Sequence, residues 1–324
     1  MTEEICCTKK RRRAPHISLK GMKMNNTIIA VDKSGSYRVY LTVSTEEVKT
    51  AAAIHGCTPL AAAALGRTLT AAGMMGLMLQ GENDRLTVQF KGDGPAQEIL
   101  ATAKANGDVK AYISDPGVDL PLKSNGKLDV GGAIGNGSLT VIKDLGLKEP
   151  YVGKIDLVNG EIAEDLTNYF TVSEQQPSSV ALGVRMDGRG LVDAAGGMII
   201  QVLPGADEKC LAALEDMLFY MDSLSLLVQD AKKMGGPSIV RNLFVLIFKD
   251  LPDEYMPQIL DERNIRFHCD CSRERMEAAL VSLGKDDLRQ LIDEDGQAEL
   301  TCNFCCSRYS FNREELEAIW QRAQ

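Results

Sequence analysis

Residues 85–91 (RLTVQFK) alternate apolar and polar positions, the two-residue period of a strand with one buried face. Short runs rich in β-branched and aromatic residues at 27–31, 37–43, 109–114, 137–143, 151–156 and 179–185 predict further strands, the first two joined at a Lys33–Ser34–Gly35 turn. Residues 95–105 predict a helix stopped by Asn106–Gly107, and residues 161–170 predict another. The most apolar stretch, residues 58–79 (TPLAAAALGRTLTAAGMMGLML), is just long enough to cross a bilayer but carries Arg67 near its middle. A central Arg costs about 2.5–3.5 kcal/mol on insertion scales, and small residues repay little of that. With Thr58 as N-cap and Pro59 at the first helical position, the stretch reads as a buried helix of a soluble core.

Pro204 and Gly205 mark a boundary. Beyond them, residues 207–233 form a long helix-compatible run with Leu211, Leu214, Met217, Leu218, Met221, Leu224 and Leu227 at spacings of three and four. Gly235–Gly236–Pro237 breaks it, and residues 238–248 are again strongly apolar. Such stripes usually mark helices packed on a core. They also fit a detachable segment whose apolar face is covered only conditionally, and the pattern alone leaves both readings open.

Composition narrows the class. The 324 residues are 44% hydrophobic and 25% charged, ordinary for a soluble globular protein. There are 36 basic and 45 acidic residues; residues 1–21 hold six of the former and two of the latter, leaving 30 against 43 from residue 22 onward. So acidic a body is a poor general binder of phosphate backbones. Residues 1–21 (MTEEICCTKKRRRAPHISLKG) lack the apolar centre of a secretory signal and read as a disordered basic leader, with the folded body starting near Met22. A cytoplasmic location follows as the expectation. Three histidines, and no nucleophile elbow, phosphate loop or carboxylate pair, argue against an enzyme.

The nine cysteines are unevenly placed. Cys6 and Cys7 fall in the leader, while Cys57 and Cys210 sit alone among apolar residues, where a cysteine behaves as a small hydrophobe. The other five, Cys269, Cys271, Cys302, Cys305 and Cys306, occupy the carboxyl end as FHCDCSRERMEAAL…AELTCNFCCSRYSF. In a reducing compartment, clustered cysteines read first as metal ligands or redox thiols. A C-x-C pair and a C-x-x-C pair can each present two sulfurs to one tetrahedral Zn²⁺, making Cys269, Cys271, Cys302 and Cys305 the expected ligands. Cys306 is the odd one out and an alternative to Cys305; His268 is read as exposed or outside the ligand set. Arg266, Arg273, Arg275 and Arg308 lie close in sequence and are expected to offset the thiolate charge. Between the pairs, residues 273–283 and 286–294 read as short helices, Gly296 as a turn and 299–301 as a strand. Asn312 and Glu315 form a capping box for a last helix ending near Arg322. A domain of roughly 60 residues with so few large apolar side chains needs a staple, which a metal supplies.

This arrangement resembles the redox-regulated 33 kDa chaperonin family. The resemblance extends to residues 135–144 (GNGSLTVIKD), 169–184 (YFTVSEQQPSSVALGV) and 195–206 (AGGMIIQVLPGA), and covers essentially residues 22–322; the leader and Cys306 depart from it. It implies an α+β protein in three parts: a substrate-associated α+β core at 22–204, a helical linker at 205–264 and a zinc redox-switch domain at 265–324. By the same resemblance the zinc-bound reduced protein is inactive. Oxidation then joins Cys269 to Cys271 and Cys302 to Cys305, expels zinc, unfolds the switch domain and linker, and activates an ATP-independent holdase. The activated form is a homodimer that holds unfolding client proteins, with no nucleic-acid or membrane partner.

Three other readings of the cysteines remain, one of them a zinc-stapled structural protein with no switch. A nucleic-acid-binding zinc ribbon needs a basic patch, whereas from residue 267 onward acidic residues are at least as frequent as basic ones. A thiol-disulfide oxidoreductase built on Cys302 and Cys305 lacks a thioredoxin-like βαβ context.

Overall fold

The computed structural model describes residues 25–322, so the leader with Cys6 and Cys7, and the expected start at Met22, lie outside the described residues. In chain order the first unit, residues 25–268, comprises β1 (Thr27–Asp32), β2 (Tyr37–Val43), α1 (Thr45–His55), α2 (Pro59–Gly76), β3 (Arg85–Gly92), β4 (Glu98–Lys104), β5 (Asp108–Ile113) and α3 (Val130–Ile134). It continues with β6 (Gly137–Asp144), β7 (Tyr151–Asp156), α4 (Ala163–Val172), β8 (Ser178–Met186), β9 (Val192–Val202), α5 (Glu208–Tyr220), α6 (Leu224–Lys233), α7 (Ile239–Phe248), β10 (Pro257–Arg263) and β11 (Arg266–Phe267). The second unit, residues 269–322, holds α8 (Arg273–Ser282), α9 (Lys285–Glu294), β12 (Gln297–Thr301), β13 (Arg308–Asn312) and α10 (Arg313–Arg322). The architecture is α+β, with mainly antiparallel sheets.

Two sheets build the first unit, in the orders β10-β1-β2-β9-β8 and β11-β5-β4-β3-β6-β7. Helix α2 touches strands of both. Every residue of it except Pro59 and Arg67 is buried, which explains its alanine- and glycine-rich sequence. A Cβ on Gly76 would stand 2.7 Å from the Ala103 Cβ, so only glycine lets β4 approach this closely. Thr58 caps the helix by accepting from the Ala61 amide at 3.2 Å. Arg67 is tolerated because it meets the Glu161 carboxylate at 2.7 Å. Burial would raise the Glu161 carboxyl, but Lys123 and Arg67 together hold it below the usual range.

Residues 95–105 are a correction. The segment is strand β4 rather than a helix, with Ile99, Ala101 and Ala103 buried on alternate positions and ladders to β3 on one side and β5 on the other. Pairing on both edges overrides the helix preference of its alanines. The run 207–233 is likewise two helices, since the chain is extended at Met221 before α6 begins at Leu224.

Helices α5, α6 and α7 cover the face of the five-stranded sheet that points away from α2. Leu214, Leu224, Val228, Leu243, Ile247 and Phe248 pack there against Ile28, Val39, Leu41, Met198 and Ile200. In this state the apolar stripes are therefore a core face. The end of the expected helical linker is not helical: β10 pairs antiparallel with β1, from Thr27 opposite Arg263 to Asp32 opposite Pro257. The edge of β1 offers a ladder that a helix would leave unmade. Asn26 then clamps the chain beyond β10, its side-chain amide donating to the Ile265 carbonyl at 3.0 Å and accepting from the Ile265 amide at 2.9 Å.

Glu47 stands beside this clamp, accepting from the Asn26 amide group at 3.2 Å. Burial pushes its carboxyl up to about 7, against a backbone hydrogen bond at the helix start and with Glu46 adding to the rise. An acid raised on folding takes up its proton in the native state first, so its contribution is fullest below its ordinary range and is lost as pH rises through about 7. Urea midpoints of the first unit therefore fall between pH 5.5 and pH 8, and Glu47→Gln removes that part of the slope and raises the midpoint at pH 8. An unchanged slope in the variant contradicts the assignment.

In the second unit only Leu280, Leu288, Ile292, Phe311, Leu316 and Ile319 form the buried apolar cluster among the described residues. The capping box is present: the Asn312 amide donates to Glu315 Oε2 and the Glu315 amide to Asn312 Oδ1, each at 2.9 Å.

Candidate metal centre

Cys269 and Cys271 lie just before α8, whose first turn is fixed by the Ser272 side chain accepting from the Arg275 amide. Cys302, Cys305 and Cys306 lie in the turn between β12 and β13. That hairpin is in register from Gln297 opposite Asn312 to Thr301 opposite Arg308. Two backbone bonds tighten the turn: the Cys302 amide to the Ser307 carbonyl at 2.9 Å, and the Cys306 amide to the Cys302 carbonyl at 2.8 Å. The result is a knuckle that faces two sulfurs toward the first pair.

The four sulfurs of Cys269, Cys271, Cys302 and Cys305 all lie within 4.8 Å of one another. Cys269 and Cys302 are 3.7 Å apart, and Cys271 and Cys305 are 3.3 Å apart. A tetrahedron with metal–sulfur bonds of about 2.3 Å has sulfur–sulfur edges of about 3.8 Å. The donor set thus fits one tetrahedral ion with little adjustment, and the cluster could hold a metal. These close approaches run between the pairs, so the geometry does not choose a disulfide pairing.

Electrostatics points the same way. Without a cation, burial pushes the Cys269 and Cys271 thiols up. Burial also acts on Cys305, yet hydrogen bonding with Ser307, together with Cys271 and Cys269, outweighs it and lowers that thiol to about 7. Four clustered sulfurs cannot all lose their protons in a half-buried site unless a positive charge compensates, which a bound cation would supply.

The neighbours of the four sulfurs match the sequence reading in part. Cys306 lies outside the four-sulfur group and takes a left-handed backbone, φ 54°, at the end of the knuckle. His268 is exposed and donates its backbone amide to the Val109 carbonyl. The arginines expected to offset the sulfurs have carboxylate partners: Arg273 with Glu315, Arg275 with Asp270, Arg308 with Glu299 and Arg266 with Asp108. Conversely, Tyr309 and Ser307 were not anticipated; the Tyr309 hydroxyl is 3.1 Å from Cys271 Sγ and Ser307 Oγ is 3.2 Å from Cys305 Sγ. Their only trace in the sequence is a hydroxyl-bearing residue two and four positions after Cys305.

Outside the cysteine cluster, His55 is buried with Nε2 3.1 Å from the Ala111 carbonyl, a core contact. Cys210, in the first turn of α5, is buried in the core cluster. No helix among the described residues is long and apolar enough to cross a membrane.

Comparison with known proteins adds relatives. The family described as Hsp33 protein matches residues 25–312. A 33 kDa chaperonin of Ruminiclostridium cellulolyticum is 46% identical, covering 88% of this chain and 94% of its own length. One from Bacillus subtilis is 42% identical over 91% of this chain and 98% of its own. The solved structure of a Thermotoga maritima 33 kDa chaperonin superimposes with a TM-score of 0.79 at 34% identity, covering 92% of this chain and 99% of that one.

Proposed function

The chain belongs to the Hsp33 protein family, and on that premise we propose that it is a redox-regulated, ATP-independent holdase of the cytoplasm. Its four sulfurs hold zinc and keep it inactive. The observation that carries this reading is the gathering of Cys269, Cys271, Cys302 and Cys305 within 4.8 Å in a unit with so small an apolar core.

Zinc, when bound, supplies most of the folding free energy of that unit, on the order of 10–16 kcal/mol in small zinc peptides against about 5–15 for whole domains. The cysteines are thus both ligands and sensors. As thiolates they hold the ion, and thiolate is also the form that oxidants attack. Oxidation joins Cys269 to Cys271 and Cys302 to Cys305, the pairing that family membership supports, and none of the four sulfurs then remains a ligand. A disulfide across one intervening residue is strained and easily reduced, which suits a reversible switch.

Loss of the second unit reaches the linker along the chain, since β11 runs into Cys269 with only His268 between. Fraying there loosens β10 and the Asn26 clamp, and α5 to α7 lose their hold on the sheet. The apolar faces of Leu214, Leu224, Val228, Leu243 and Phe248 then receive unfolding clients without nucleotide. The oxidised form is a homodimer, and neither nucleic acid nor membrane takes part.

The test is aggregation of a thermally unfolding client, followed by light scattering without ATP. Zinc-loaded reduced protein leaves aggregation unchanged. Protein treated with peroxide at mildly elevated temperature suppresses it at near-stoichiometric ratio and loses zinc in parallel. Zinc loss without protection contradicts the chaperone reading and leaves the metal reading standing.

A further inference from the structure

Tyr309 sits on β13, opposite Leu300, with its ring half-buried against the apolar cluster of the second unit. Its hydroxyl reaches 3.1 Å to Cys271 Sγ. Cys305 has a hydroxyl partner from its own turn, Ser307. For Cys271 the hydroxyl partner is Tyr309, which lies outside both the thiol cluster and the C-x-C segment. The bond therefore ties the first cysteine pair to the hairpin that carries the second, 38 residues away.

We propose that Tyr309 is a positioning residue of the thiol switch, holding Cys271 in the cluster and restraining its attack on oxidants. This rests on reading the cluster as a zinc-held redox switch. A metal-held cysteine sulfur carries no proton, so the phenol must be the donor, O–H to thiolate. Such a bond fixes the sulfur's direction and withdraws electron density from it. With hydrogen peroxide as oxidant, the Cys271 thiolate attacks one peroxide oxygen: an S–O bond forms, the O–O bond breaks, and the departing hydroxide takes a proton to become water. The Cys269 thiolate then attacks that sulfur, forming the S–S bond and expelling a second hydroxide, which also becomes water. The two sulfurs give up two electrons and the peroxide accepts them. Tyr309 lowers the electron density available to the first attack, so it sets how much oxidant the switch ignores.

The experiment compares full-length reduced, zinc-loaded wild-type protein with Tyr309→Phe, which keeps the ring and loses the hydroxyl, and Tyr309→Leu, which changes the packing as well. Expected for both variants is a zinc affinity lower by about 10-fold in chelator competition, the lower end for lost outer-shell partners, and faster zinc release at equal peroxide. In cobalt-loaded protein the thiolate-to-metal charge-transfer band moves to lower energy in both variants alike, a change that lost packing alone would not produce. Wild-type and Tyr309→Phe curves that superimpose in release rate and band position overturn the proposal while the switch stands. Wild-type protein that takes up no zinc overturns the switch reading and this proposal with it.

Discussion

Cys302→Ser protein is expected to lose its metal and with it the fold of residues 269–322. Cys302 is the most buried of the four sulfurs, 6% exposed, and sits where the β12–β13 turn faces the first pair. A serine there offers a poor ligand to a soft site, and three sulfurs hold the ion far less tightly than four. The unit has little else to rely on. Six buried apolar side chains are a small core for some fifty residues, each of which loses conformational freedom on ordering. Losing most of a contribution near 10 kcal/mol therefore unfolds the unit outright. Amide spectra should show residues 269–322 collapsing to unfolded positions, with zinc content near zero and the dispersed resonances of residues 25–268 largely kept. Cys306→Ser is the matched control: its sulfur is outside the four-sulfur group, so it retains zinc and fold. Equal zinc content in the two variants would contradict the assignment of ligands.

The second large effect is expected at Gly183, far from the cysteines in sequence. Gly183 on β8 pairs with Gly196 on β9, and α6 crosses the sheet over these two residues. A Cβ at 183 would stand 2.5 Å from the Ser225 amide nitrogen and 2.9 Å from the Ser225 Cβ, and one at 196 would stand 2.9 Å from a Val228 methyl. The obstacle at 183 includes helix backbone, which no rotamer change can move. Gly183→Ala therefore lifts α6, at a cost of about 1–3 kcal/mol or more for overpacking. It also uncovers the seam between Leu224, Val228 and the sheet residues Leu41 and Met198. If that seam is the client surface, the variant binds a hydrophobic dye and suppresses client aggregation in reductant with zinc still bound. An alanine variant that folds, keeps zinc and stays silent in both assays would separate the α6 face from client binding.

Legibility followed the strength of local rules. Thr58, Pro59 and the small residues after them announced α2, because capping, ring geometry and side-chain size all agree there. The capping box at Asn312 and Glu315 was equally plain. What escaped was decided by partners distant in sequence. Residues 98–104 have the composition of a helix and became a strand because two edges were offered to them. Residues 257–263 joined β1, more than two hundred positions away, and no local pattern reports that. The break near Met221 gave no signal beyond Asp222 and Ser223. At the thiol cluster the gathering of Cys269, Cys271, Cys302 and Cys305 was legible from spacing, whereas the hydroxyl of Tyr309 was not, since its relation to Cys271 exists only once the hairpin has folded back. The pairing of Arg273 with Glu315, 42 residues away, was hidden for the same reason.

The central claim is that sulfur-held metal keeps the α5–α7 face covered. Amide hydrogen exchange, read peptide by peptide across residues 208–248 in zinc-loaded reduced protein and in peroxide-treated protein, tests it directly. The account predicts slow exchange for these helices in the first state and exchange faster by at least an order of magnitude in the second, with β2, β9 and α2 protected in both. Helices α5 to α7 exchanging at the same rate whether or not the metal is bound would contradict it.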